Sequence, residues 1–182
     1  MTKTNIFIQK DFKPCEKVWK RDIGFNVIAI TDPEIVGEKV GSLYKSIQYI
    51  EYKTGIKIDP CYNKTVEKDR GQVYTTIWPR SSISKYNLLL ANSIGLIDPD
   101  FRDAITVRFK YVVQPEDMRL VNSLGYSTEQ YKDILIEPNL NKIYKIGDQI
   151  AQLVFMTETD VEFNFVDSIA ETGRGAFGST GV

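Results

Sequence analysis

Residues 104–113 constrain the fold more than any other stretch of the chain. Ile105, Val107, Phe109, Tyr111 and Val113 fall on one face of an extended backbone, and Thr106, Arg108 and Lys110 on the other. A period of two puts one face in a core and the other in water. It does not suit a helix, whose apolar stripe recurs every three to four residues. Residues 160–166 repeat the pattern, with Val161, Phe163 and Phe165 alternating with Asp160, Glu162 and Asn164. Runs at 26–30, 72–78 and 150–155 add further strand candidates rich in β-branched and aromatic residues. The chain is expected to be mainly β.

Two segments interrupt the pattern. From Asp32 a helix is conceivable: Asp32 can cap, Pro33 suits a first turn, and Val36, Val40, Leu43, Ile47 and Ile50 recur at helical spacing. Against it, Gly37 and Gly41 would each cost about 1 kcal/mol relative to Ala in a helix interior. The second segment, 114–141, breaks the strands with PEDMRLVNSLG and continues with STEQYKDIL. There Ser127 and Gln130 have capping-box spacing, so a partly helical insertion is expected. A length of 182 residues fits one domain on a scale of ~100–200 residues per domain.

The charge balance narrows the partners. With 23 Lys and Arg against 24 Asp and Glu, the chain lacks the basic excess that broad phosphate neutralisation needs, so nucleic acid is not an expected partner. The absence of histidine excludes a Ser-His-Asp triad and any imidazole metal site. Cys15 and Cys61 are too far apart for a CxxC pair and read as reduced thiols. The N-terminus has no apolar signal-peptide region and no run approaches the ~18 apolar residues of a membrane span, so a cytoplasmic location without membrane contact is expected.

Three segments carry polar residues among turn-formers in a way that a core does not require. In PRSSIS, residues 79–84, Arg80 offers a planar fork of donors and Ser81 and Ser82 offer hydroxyls, a set suited to phosphate oxygens. A serine-capped strand end would look the same. In residues 92–109, Asp98 and Asp100 precede the alternating strand, although Asp-Pro-Asp is also an ordinary turn. The glycine-rich C-terminus, with Arg174, Ser179 and Thr180, reads alone as a tail; once ordered it could wrap an anion.

In this order the segments resemble the trimeric deoxyuridine triphosphate pyrophosphatase (dUTPase) family, which is marked by five short motifs. RDIGFNV at 21–27 looks like the first, WPRSS at 78–82 the second and NSIGLIDPDFRD at 92–103 the third. IGDQIAQLVF at 146–155 matches the fourth and RGAFGSTG at 174–181 the fifth. TGIKI at 54–58 also resembles a family strand, which favours strand over helix in the second half of the disputed segment. Five motifs in order are far more specific than one.

The resemblance implies a distorted jelly-roll subunit, a homotrimer with shared sites, and Mg²⁺-dependent hydrolysis of dUTP to dUMP and pyrophosphate. On the family pattern Asp98 is the general base. Asn92, Gly95, Ile97 and the hairpin backbone meet the uracil, and Phe101 stands where a Tyr usually packs on the deoxyribose. Arg80, Ser81, Ser82 and Gln152 match phosphate contacts. A C-terminal arm over 171–182 would bring Phe177 to the base and Arg174, Ser179 and Thr180 to the phosphates. Residues 33–46 and 114–141 are then insertions into a single domain over 1–182.

Besides Phe101, the chain departs from the family pattern in four places. Asn26 stands near the position of an Asp that helps order the metal's water shell, so any role there is weak and water-mediated. Gln149 replaces an Arg, Asp103 replaces a Gly, and the arm is shorter between Arg174 and Phe177 than the usual Arg-Gly-x-Gly-Gly-Phe. Two alternatives follow: a catalytically weakened structural or regulatory protein of the same fold, and the related dCTP deaminases. The latter need a Glu where this chain has Arg108.

Overall fold

The computed structural model describes residues 7–8, 21–59, 73–124, 130–157 and 161–170. Its strands are β1 (Phe7–Ile8), β2 (Phe25–Ile28), β3 (Glu34–Val40), β4 (Leu43–Lys53), β5 (Ile58–Asp59) and β6 (Val73–Pro79). Then follow β7 (Leu88–Leu90), β8 (Gly95–Ile97), β9 (Thr106–Tyr111), β10 (Met118–Leu124), β11 (Gln130–Ile136) and β12 (Gln149–Thr157). One sheet runs β10-β11-β4-β9-β7, with β3 also on β4; another runs β2-β12-β6-β8; β1 pairs with β5. The pairs are antiparallel. The chain is mainly β, with the distorted jelly-roll form expected.

The alternation at 104–113 has the predicted consequence. Val107, Phe109 and Tyr111 of β9 are buried and Thr106, Arg108 and Lys110 are exposed. The two larger sheets share one core, to which β2 and β12 contribute Val27, Ile150 and Leu153, and β4 and β9 contribute Ile50, Tyr52 and Phe109. Full burial of such a side chain stabilises by about 1.5–3 kcal/mol. Tyr52 and Phe109 meet edge to face at 5.6 Å, a contact worth ~0.5–1.5 kcal/mol beyond its area.

Several expectations are corrected. The segment after Asp32 is not a helix but the β3–β4 hairpin. The two glycines that weaken a helix serve the hairpin instead: Gly41 takes a positive φ of 61° at its turn. Gly37 lies at a register shift, where a Cβ would sit 2.1 Å from the Ser46 carbonyl oxygen. Among its described residues the segment 114–141 is helical only over the single 3₁₀ turn Pro115–Asp117, and its main elements are the antiparallel pair β10 and β11. Ser127 of the expected capping box lies outside the described residues, and Gln130 begins a strand because a full antiparallel ladder outweighs a local cap. The family strand read at 54–58 is reduced to Ile58–Asp59, while β4 extends to Lys53.

The strand expected at 160–166 is absent over the described part, 161–166. Val161, Phe163 and Phe165 are exposed, Phe165 to 98%. A strand needs a neighbour's ladder, and no described strand lies beside this one. Cys15, Cys61 and the arm 171–182 lie outside the described residues. No helix among the described residues is long and apolar enough to cross a membrane.

Candidate active site

Strand β6 is the spine of the site, with β8 on one side and β12 on the other. On the β8 side, Ile77 pairs with Gly95 and Thr75 with Ile97. The hairpin expected there is instead a turn between sheets, since β7 pairs with β9 and β8 with β6; it passes through Ser93, whose φ of 59° is left-handed, and is tied by the Ser93 amide donating to the Leu90 carbonyl at 3.1 Å. Gly95 lets the backbone approach Asn92 closely, since a Cβ there would lie 3.1 Å from the Asn92 side-chain Nδ2 and 3.4 Å from Ile77 Cβ and would press Asn92 aside. Beyond β8 the Phe101 amide donates to the Asp98 carbonyl at 3.1 Å, closing the Asp-Pro-Asp turn.

These residues converge on a cleft of ≈ 200 Å³ lined by Asn92, Gly95, Ile97, Asp98, Phe101 and Ile105, among others. That is below the ~300–1,000 Å³ of typical ligand sites, a size for one end of a ligand rather than all of it. Asp98 is exposed at the cleft and Phe101 is 41% exposed, so a carboxylate and a flat apolar ring face an incoming molecule. Arg102 pairs with Asp59 at 3.1 Å and more loosely with Asp100 at 3.9 Å. Those two carboxylates, rather than Asp103, take its charge.

On the β12 side the second cluster forms. β6 ends at Pro79, and Arg80 begins a 3₁₀ turn, Ser81–Lys85, closed by the Ile83 amide donating to the Arg80 carbonyl at 3.0 Å. Ser81 is exposed and Ser82 half-buried. The Arg80 guanidinium donates to the Gln149 side-chain oxygen and, at 3.3 Å, to the Gln149 carbonyl, which holds it against β12. Gln152 faces Asn26 across the β12–β2 ladder, its Nε2 donating to Asn26 Oδ1 at 3.4 Å. Gly24 makes room for Gln152, because a Cβ there would lie 3.0 Å from the Gln152 Cβ.

The site residues thus fall into two groups. The cleft that holds Asp98 and Phe101 is lined by none of Arg80, Ser81, Ser82 or Gln152. Arg174, Phe177, Ser179 and Thr180 lie outside the described residues. Three contributions were not read from the sequence. Gln149, noted there only as a replacement for an Arg, is the anchor of Arg80, and Gly24 is the spacer in the first motif. Tyr144 is buried to 1% exposure against the Ser81–Lys85 turn, 4.2 Å from the Tyr86 ring. The glycine of RDIGFNV was a usable signal for Gly24; for a tyrosine amid apolar neighbours there was none.

Among the described residues no group of three or more His, Cys, Asp or Glu could hold an ion. Arg108, at the position where a deaminase has Glu, donates to the Glu51 carboxylate at 2.7 Å and lies over the Tyr49 ring at 4.2 Å.

No family model matches the chain. Among curated proteins, deoxyuridine 5'-triphosphate nucleotidohydrolase of Desulfitobacterium hafniense (strain DSM 10664 / DCB-2) is 33% identical over 138 residues, 74% of this chain and 70% of the relative. The enzyme of the same name from Pasteurella multocida is 33% identical over 108 residues, 58% of this chain and 55% of the relative. Among solved structures, Staphylococcus bacteriophage 80alpha dUTPase with dUPNHPP superposes with a TM-score of 0.61 at 19% identity, covering 98% of this chain and 99% of that one. A mutant dUTPase from phage phi11 of S. aureus, described with a structural Mg(II) ion, gives a TM-score of 0.57 at 15% identity over 90% of this chain and 97% of that one. The chain is therefore a member of the deoxyuridine 5'-triphosphate nucleotidohydrolase (dUTPase) family.

Proposed function

We propose that this protein is a dUTP diphosphatase, which hydrolyses dUTP to dUMP and pyrophosphate in nucleotide metabolism. The observation that carries this reading is the cleft in which Asn92, Gly95, Asp98 and Phe101 converge. Uracil is read by the Asn92–Gly95 turn, where a poorly fitting base would leave polar groups unpaired. The Phe101 ring packs on the deoxyribose and leaves no room for a 2′-hydroxyl. Asp98 takes the proton of the attacking water, a role worth about 10²–10⁴ in rate, and the bond broken is the phosphoanhydride that releases pyrophosphate.

Arg80, Ser81, Ser82 and Gln152 hold phosphate oxygens as preorganised donors. Because this cluster does not line the Asp98 cleft, a complete site draws the two groups from different copies of the chain, in a homotrimer. The arm residues Arg174, Phe177, Ser179 and Thr180 close over the nucleotide. Mg²⁺ suits this donor set only as an ion carried on the triphosphate, since Mg²⁺ keeps several waters and leans on substrate phosphates. Asn26, buried and bonded to Gln152, would act on the ion only weakly and through water. The ion supplies charge neutralisation on the phosphate oxygens.

Purified protein is incubated with Mg²⁺ and dUTP, dCTP, dTTP or UTP, and pyrophosphate is measured. Release confined to dUTP and lost in Asp98→Asn is expected. Binding without turnover would instead support the structural or regulatory alternative, and ammonia from dCTP the deaminase one. Light scattering at the mass of one subunit would refute the shared site.

A further inference from the structure

Tyr144 has no part in the chemistry above. Its ring is held on three sides, with the centroids of Tyr52, Phe109 and Tyr86 at 6.2, 5.5 and 4.2 Å. Its carbonyl accepts the Tyr52 hydroxyl at 3.0 Å. Its own hydroxyl is buried and has no hydrogen-bond partner among the described residues. The groups that act on that hydroxyl belong mostly to the phosphate turn and its flanks: Ser82, Tyr86 and Arg80, with a smaller influence from Asp148. Ser82 is the group that interacts with the hydroxyl most directly, its side chain pulling the phenol back toward its ordinary value, yet in the free protein the pair does not reach full hydrogen-bond geometry. Burial raises the Tyr144 phenol above its ordinary value, so at neutral pH it is a proton donor.

An unpaired buried donor is costly, and a native structure that keeps one calls for a reason. A serine that donates its proton to a phosphate oxygen still has lone pairs to accept with. A second hydroxyl donating to that serine polarises it and strengthens the outward bond. We infer that Tyr144 is a positioning residue of the phosphate site, its hydroxyl donating to Ser82 Oγ when Ser82 turns its own proton to a phosphate oxygen of the nucleotide. The inference rests on the reading of Arg80, Ser81 and Ser82 as phosphate ligands.

The test is equilibrium binding of a non-hydrolysable dUTP analogue and of deoxyuridine, together with thermal melting of the free protein. Wild type is compared with Tyr144→Phe, Ser82→Ala, their double variant and Arg80→Ala. Tyr144→Phe is expected to bind the analogue about tenfold more weakly, to bind deoxyuridine as wild type does, and to melt no lower. The double variant is expected to bind no more weakly than Ser82→Ala alone. A fold-defect explanation predicts a lower melting point and a loss for both ligands, and either would overturn the inference. So would an unchanged analogue affinity in Tyr144→Phe beside losses in Ser82→Ala and Arg80→Ala, or losses that add in the double variant; both leave the phosphate site standing. Unchanged affinity in Arg80→Ala and Ser82→Ala would overturn the phosphate-site reading and the inference with it.

Discussion

Two buried tyrosines show opposite uses of the same side chain. The Tyr111 hydroxyl, at the end of β9, donates to Asp117 Oδ2 at 2.8 Å and accepts the Asn139 amide at 2.8 Å. The same Asp117 oxygen accepts the Gln114 amide at 2.8 Å. Asp117 is only 2% exposed, yet its carboxylate is satisfied, and the network fastens the β10–β11 pair to the core. The Tyr144 hydroxyl is as deeply placed and has no partner among the described residues. A closed network holds structure together. An open one holds a bonding capacity in reserve, and here it lies under the turn proposed to bind phosphate.

Removing the centre of the closed network should have the largest effect. Asp117→Ala leaves the Tyr111 O–H and the Gln114 N–H without their acceptor, at ~1–3 kcal/mol for each buried group. A loss of roughly 2–4 kcal/mol in urea unfolding at fixed protein concentration is expected. Tyr111→Phe is milder at about 1–2 kcal/mol, because the Asn139 amide loses its acceptor while Asp117 keeps Gln114. Tyr144→Phe should cost nothing or gain up to about 1 kcal/mol, since it deletes a polar atom that has no partner in the free protein. Equal losses from the two tyrosine substitutions would erase the contrast between them.

The same contrast marks what the sequence made legible. β9 was readable because its alternation is a one-dimensional record of which face is buried. The Asn92–Asp98 segment was readable through a motif resemblance, but not as the hairpin it suggested, because its flanking strands pair in different sheets. The β3–β4 hairpin was ambiguous because Val36, Val40, Leu43, Ile47 and Ile50 fit a helical face as well as two strands, and only pairing across Gly41 decides between them. The alternation at 160–166 was legible as pattern and misleading as structure, because the sequence does not supply the partner strand. Arg80 could be named from its neighbours, but its anchorage by Gln149 joins residues 69 apart in sequence. Tyr144 was invisible for the same reason: an unpaired hydroxyl is a property of the assembled core.

The smallest predicted effect separates the two tyrosines by pH. Burial is the first cause that raises both phenols above the ordinary 10.0; the Asp117 carboxylate adds to it at Tyr111, whereas Ser82 and Arg80 oppose it at Tyr144. A raised folded value means that the native state keeps a proton the unfolded chain gives up. The resulting stability is complete below about pH 10 and is lost as pH rises through the folded values, by at most about 1.4 kcal/mol per pH unit for each phenol. A phenylalanine variant lacks that loss. The advantage of Tyr144→Phe over wild type should therefore widen above pH 10, while the deficit of Tyr111→Phe narrows. Urea midpoints from pH 8 to 11 measure both, and a flat difference for either variant would mean that its phenol titrates alike in the folded and unfolded chain. Because the other phenols and amines of the unfolded chain also ionise above about pH 10, only the difference between each variant and wild type isolates the one hydroxyl.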